Sequence, residues 1–452
     1  MAGGHHELLS GPLYDLTILG ATGFTGKYVL REALKFVNPS PSSPLKSLAL
    51  AARDHEKLTQ TLKWAAHPHP PPPIPLLTAD ITAPESIRRL CSQTKLMLNC
   101  VGPFRRYGEP VVAACVEAGC DYLDICGEPE FMERMEAEYH ERAVESGSLV
   151  VSGCGFDSVP AELGVMFNSR QWVGKSAPSF VEAYVSLESR RRMAVNFGTF
   201  ESAVLGVANA TKLQKLRRSS PSRPLPAIPG SSPPKGPIVE HKKELGLSAV
   251  RLPSADSSVV RRTLSTLAEN PQGLRGINES TEEIEQRKSF WSSVKPARFG
   301  VKIGSKSLVG ILRIITVGIF IGLLSQTSFG RRLLLTFPSV FSLGCFKKKG
   351  PSEEQINSAS FKMWFVGRGF KDSSGDRNGE PDMEIVTRVM GPEIGYLTTS
   401  TILLQCALVV LSKREAMPKG GTFTPGIVFG PTDLQQRLQE NGIYFDVISK
   451  SA

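Results

Sequence analysis

At 452 residues the chain is long enough for two or three domains, and with 41% hydrophobic and 21% charged residues it is ordinary globular material. That excludes a wholly disordered chain, a polytopic membrane protein and a small single-site binding module. Fifty-three Lys+Arg against 43 Asp+Glu leave a net charge of +10, and the excess is concentrated in one apolar stretch rather than spread over the surface.

The segment before Asp15 has no basic residue and no apolar run of signal-peptide length, and it carries Glu7, so no cleavable presequence is expected. Leu16 to Leu19 reads as a buried strand running into Gly20, Ala21, Thr22, Gly23, Phe24, Thr25 and Gly26, with a helix directly behind. Glycines at this spacing serve a tight turn, a main chain bare enough for a pyrophosphate to approach, and close helix packing, with the helix amino end facing the phosphates. Between a strand and a helix the loop predicts dinucleotide binding rather than a structural turn.

Strand two, Leu48 to Ala52, ends in Arg53-Asp54, where a cofactor's ribose is read. A guanidinium there favours a 2′-phosphate, so Arg53 predicts NADP, with NAD as the alternative; in the structural reading Arg53 is a solvated charge and Asp54 caps the next helix. The proline tract from His67 to Pro73 must be a surface loop. After a third strand near Leu76, Asp80 is expected near the adenine or as a helix cap.

Strand four, Leu96 to Val101, ends in a rigid loop of small residues. A nicotinamide ring can lie flat there, which places Cys100, Val101, Gly102, Pro103 and Phe104 at the cofactor. Strand five, Tyr122 to Ile125, offers Asp124 and Glu128 at the sheet edge where open α/β sheets bind ligands. Strand six, Leu149 to Ser152, feeds a turn in which Asp157 or Ser158 caps a helix. The alternation predicts an α/β fold, a doubly wound parallel sheet over residues 1–160.

The catalytic acid is not evident: Tyr107, Cys100 and Asp124 are weak candidates, and no histidine has the context of a general acid. Arg105 and Arg106 are candidate cations for a dicarboxylic substrate. No metal site is expected. The eight cysteines form no CxxC pair and read as reduced thiols of a cytosol-facing protein, zinc and disulfides being the alternatives.

A second, mixed α+β domain is expected over 161–392. Val181 to Leu187 alternates like a strand with one wet face, and a helix from Thr199 to Leu216 runs into a Pro/Ser-rich stretch that predicts a disordered insertion over about 217–300. From Val301 to Lys349 stand Lys302, Lys306, Arg313, Arg331, Arg332, Lys347, Lys348 and Lys349 without one acidic residue. Leu308 to Leu324 is borderline for a membrane span, and Arg313 at mid-bilayer would cost about 2.5–3.5 kcal/mol. Two helices lying in one leaflet over residues 308–346 fit better, a buried helix pair or a subunit interface being the alternative. Phe361–Gly369 and Asp382–Met390 predict a hairpin around a turn-rich linker, and residues 393–452 are expected to be helical.

Taken together, GATGFTG, AARD, NCVGPF, YLDICGEP, GFDSVP and GGTFTPGIVFGPT resemble the saccharopine dehydrogenase-like oxidoreductases. The resemblance implies a Rossmann domain joined to a mixed α+β domain, with the helices of residues 393–452 returning to the first domain, kinship with bacterial trans-acting enoyl reductases, and association with lipid droplets or mitochondria. It does not imply saccharopine chemistry. The expectation is an NADP-dependent oxidoreductase reducing an apolar or lipid-linked carbonyl or alkene at a lipid surface, membrane-associated and facing the cytosol. A saccharopine dehydrogenase of lysine metabolism and a non-catalytic NADP-binding scaffold are the alternatives. No nucleic-acid partner is expected, and a homodimer is left open.

Overall fold

The computed structural model describes residues 12–219, 236–251, 254–372 and 380–451. Its first sheet is built from short apolar strands that follow one another through helices: β1 (Tyr14–Leu19), β2 (Leu48–Ala52), β3 (Leu76–Thr78), β4 (Thr94–Asn99), β5 (Asp121–Asp124) and β6 (Leu149–Val151). All pair in parallel, in the order β6-β5-β4-β1-β2-β3, so the chain reverses direction across the sheet at β1. β1 and β2 are almost wholly buried, as strands covered on both faces must be. The reversal opens a crevice at the carboxyl ends of β1 and β4, where such sheets bind ligands.

The second sheet uses β7 (Ala177–Ser189), β9 (Val239–Lys242), β10 (Leu247–Val250), β11 (Arg298–Ser305), β13 (Ala359–Phe370) and β14 (Met383–Pro392). A small ribbon pairs β8 (Val195–Asn196) with β12 (Phe346–Lys347). Two late strands tie the halves together: β15 (Gly421–Phe423) extends the first sheet beside β6, and β16 (Tyr444–Ser451) extends the second beside β14. The apolar Thr399–Lys413 helix packs against the Phe24–Ala33 helix behind the first sheet.

Three expectations need correction. Residues 239–300 are not a disordered insertion: they carry β9, β10 and the Ala255–Glu269 and Thr281–Ser293 helices. The compositional bias belongs to the Pro/Ser tract alone, of which 220–235 lie outside the described residues. The Thr281–Ser293 helix even opens on a capping box, Ser280 with Glu283. The carboxyl end is not all helical, since β15 and β16 are strands. The supposed wet face of β7 is covered, because Tyr184 buries with Trp364, Val386 and Leu247 while Glu182 pairs with Lys302 at 2.7 Å. The predicted hairpin forms between β13 and β14, with its turn at 373–379 outside the described residues.

The apolar basic segment folds as the Leu308–Leu324, Ser328–Thr336 and Pro338–Phe341 helices. Their inner side packs Leu334, Phe320 and Ile321 around Phe200 and Val204 of the Phe197–Ala208 helix. Their outer side leaves Leu308, Leu312, Leu323, Phe329, Phe337 and Val340 half or more exposed. Among the described residues one helical run, Ile394–Ala416, is long and apolar enough to cross a membrane, and most of it is buried in the core.

Candidate active site

The glycine loop is shaped by contacts that a side chain would break. Gly20 has φ +83°, and a Cβ on it would come within 2.6 Å of Val101 Cγ2. A Cβ on Gly26 would run into the Gly20 carbonyl, so the helix can pack on the strand end only without one. The Phe24–Ala33 helix starts at Gly23 with no side-chain cap, which leaves its first amides free to face a ligand.

The loop after β4 is fixed from beneath. The Val101 N–H donates to Asn99 Oδ1 (3.0 Å), Asn99 Nδ2 donates to the Tyr122 hydroxyl (3.1 Å), and that hydroxyl donates to Asp124 Oδ2 (2.9 Å). Glu128 accepts from the N–H groups of Phe104 (2.9 Å) and Arg105 (3.2 Å) and from the Ser202 hydroxyl (2.8 Å). Both loops open on one cleft of about 1630 Å³, larger than the ~300–1,000 Å³ usual for a single small ligand. Gly23, Phe24, Thr25, Cys100, Gly102 and Phe104 line its floor. Asn196, Thr199 and Tyr396 close it from the second half of the chain, and the Leu308–Leu324 helix contributes Ile315, Ile319 and Gly322 to its far wall.

The comparisons with known proteins fit this architecture. The family model described as Saccharopine dehydrogenase NADP binding domain matches residues 16–151. An Arabidopsis thaliana protein named as a mitochondrial saccharopine dehydrogenase-like oxidoreductase is 65% identical over 97% of both chains. The chain belongs to the saccharopine dehydrogenase-like oxidoreductases. A Caenorhabditis elegans relative, 32% identical over 97% of this chain and 99% of its own, is named lipid droplet localized protein. A Mycobacterium tuberculosis protein named as a trans-acting enoyl reductase is 36% identical over 34% of each chain. Saccharopine dehydrogenase (L-Glu forming) from Saccharomyces cerevisiae shares the fold, with TM-score 0.50 and 10% identity over 96% of this chain and 100% of its own.

This family member is therefore an oxidoreductase with NADP as its cofactor, and the bare glycine turn and uncapped helix suit a dinucleotide's phosphates. Gly20, Ala21, Thr22, Gly26, Val101 and Pro103 do not line the cleft; they belong to the two loops whose other residues do. Arg53 stands exposed at the end of β2; the Asp80 pKa is lowered first by the Thr82 hydrogen bonds and least by the Arg53 charge. Asp80 itself accepts from the N–H and hydroxyl of Thr82, and Asp54 caps the next helix through the Lys57 N–H at 3.0 Å.

The three candidate acids fare differently. Asp124 is sealed: besides the Tyr122 hydroxyl it accepts from the N–H groups of Cys126 (2.9 Å) and Gly153 (2.8 Å), and burial pushes it up to about 6. It is a turn anchor that cannot reach a substrate. Tyr107 lies outside the cleft lining, at the end of the short Phe104–Tyr107 helix. Cys100 does line the cleft, yet burial and then the Asp124 charge push its thiol up to about 12, too weak an acid for neutral pH. Arg105 and Arg106 are already paired, with Glu130 (2.6 Å) and Glu201 (3.0 Å). The reading from sequence missed Tyr396, Asn196 and Ser202, which no local motif marks because chain topology alone brings them to the cleft.

Proposed function

We propose that this oxidoreductase reduces a carbonyl or enoyl group on an apolar, lipid-linked substrate while docked on a lipid surface. The observation that carries the reading is continuity: one cleft runs from Gly23 and Phe24 to Ile315, Ile319 and Gly322 of the apolar helix. Ile319 is 52% exposed and shares its helix with the exposed Leu312 and Leu323, so an acyl chain has a short path from the lipid face to the cofactor loop. Lys302 and Lys306 are engaged by Glu182 and Glu188, but among the described residues Arg313, Arg332, Lys348 and Lys349 form no ion pair and remain free for anionic headgroups. The names of the worm and mycobacterial relatives point the same way. Pairing of Arg105 and Arg106 within the chain weighs against a dicarboxylic amino-acid substrate.

In this reading the Gly23 turn and the helix amides hold the phosphates, Arg53 takes the 2′-phosphate, and Cys100 to Phe104 flank the ring. Bound NADPH supplies a hydride; the chain's share is alignment, exclusion of water and a proton. The test follows NADPH oxidation with a long-chain trans-2-enoyl thioester and a long-chain aldehyde, each presented in anionic vesicles and in detergent, with saccharopine and NADP as the contrasting pair. Vesicle-dependent oxidation supports the proposal; turnover confined to saccharopine overturns it.

A further inference from the structure

Asp157 lies in the loop between β6 and the Val159–Ser169 helix, at the sheet edge that carries the cofactor loops. It does not cap that helix, whose N-cap is Ser158 and which has no side-chain cap. Its carboxyl instead rests on the backbone of Gly127, where a Cβ would come within 2.6 Å of Oδ2. It lines the same cleft as Gly127, Cys100 and Gly102. Among the described residues it has no hydrogen-bond or ion-pair partner. A carboxyl that caps nothing, pairs with nothing and points into a cofactor cleft has no structural employment.

We propose that Asp157 is the catalytic proton donor of the reductive step, an inference that rests on the reductase reading above. A hydride from the reduced cofactor adds to the β-carbon of an enoyl group or to a carbonyl carbon. The carboxyl proton of Asp157 goes to the α-carbon or to the carbonyl oxygen. The substrate gains two electrons and two hydrogens, the cofactor is left oxidised, and the Asp157 carboxylate regains its proton from water in the cleft.

The surroundings favour the protonated form. Asp157 is exposed to the cleft, and the desolvation its neighbours impose there raises its pKa above the ordinary 3.8. The titratable groups facing it are Cys126 from the β5 edge and Asp256 from the Ala255–Glu269 helix. Asp256 is itself pushed up to about 8, chiefly by burial, so the two neighbouring carboxyls do not both ionise readily. No cation contributes to the Asp157 shift. Proton donation is thus present at low pH and lost as pH rises through the raised value.

The test compares Asp157→Asn and Asp157→Glu with the parent protein. Asp157→Asn should bind NADPH as tightly by fluorescence titration, lose about 10²–10⁴-fold in kcat, and lose the alkaline limb of the kcat/KM profile; Asp157→Glu should recover part of both. Independently of turnover, infrared difference spectra between the parent and Asp157→Asn should show a protonated carboxyl band that titrates away above the ordinary carboxylate range. An unchanged rate and pH profile in Asp157→Asn, or absence of that band, overturns the proposal. If the parent protein reduces neither acceptor, the reductase reading fails instead, and the band alone decides whether Asp157 holds a proton.

Discussion

Glu128 holds Phe104 in place through the main chain: the Phe104 N–H donates to its Oε1 at 2.9 Å, and the carboxylate is only 6% exposed. Oε2 serves the neighbouring Arg105 N–H, so one side chain organises the turn after the Gly102–Pro103 peptide. Glu128→Ala would leave a buried N–H without a partner, at a cost of about 1–3 kcal/mol, whereas Glu128→Gln keeps an acceptor and should lose less. Urea unfolding measures the stability. NADPH titration of the same preparations should show Glu128→Ala binding several-fold more weakly than the parent protein, because the turn that carries Gly102 and Phe104 is no longer held.

We propose that Arg53 separates the two pyridine cofactors. It stands exposed at the end of β2 and forms no ion pair among the described residues, so its guanidinium is available to a 2′-phosphate. Charge-assisted bonding of that kind is lost in Arg53→Ala, which should weaken NADPH by roughly tenfold or more and leave NADH unchanged. Equal weakening of both cofactors would remove Arg53 from the ribose site.

Glu162 makes the fold pH-sensitive. Its carboxyl accepts from the Gly426 N–H at 2.9 Å and from the Thr263 hydroxyl, joining three elements in the core, and burial raises it from an ordinary 4.5 to about 7. The folded state therefore keeps a proton that the unfolded chain has already released between those values. The stabilisation is fully present below about pH 4.5 and fades as pH rises through about 7. Glu162→Gln should flatten this part of the stability curve and exceed the parent protein above pH 8. Urea midpoints from pH 5 to 8 test it.

The parts of the site that one short segment can specify were legible in the sequence. Gly20, Gly23 and Gly26 each meet a local steric demand, so their spacing predicts the turn and the helix that follows. Asp124 misled because position at a strand end resembles a substrate-facing carboxylate until the Cys126 and Gly153 amides are seen to consume it. Asp157 was hidden for the opposite reason: the sequence offers Asp157 or Ser158 as a helix cap, and the structure puts Ser158 at the N-cap position, with no side-chain cap bond, and leaves Asp157 out of that role. Residues 239–300 were obscured by the composition of their neighbour, although Ser280 and Glu283 already spell a helix start. Tyr396 donates no motif at all; it reaches the cleft because its helix docks on Tyr28 and Phe24, with ring centroids 5.7 and 4.7 Å away.

Lipid docking is best tested by substitution on the surface of the apolar segment, because deleting it would strip Leu334 and Ile321 from Phe200 and Val204 and disrupt the fold. Leu308, Leu312 and Leu323 recur at helical spacing on one exposed face, so Leu312→Asp with Leu323→Asp should abolish flotation with vesicles while thermal unfolding stays unchanged. Arg332, Lys348 and Lys349 contribute separately. At about 1 kcal/mol per cation near an anionic surface, replacing all three by Gln should weaken binding to phosphatidylserine vesicles by roughly 100-fold and leave neutral vesicles little affected. The parent protein's binding should fall as salt rises, and the triple variant's should respond less. Flotation undiminished by both sets of changes would place this face against something other than lipid. The cleft beneath Ile319 would then need another route for an apolar substrate.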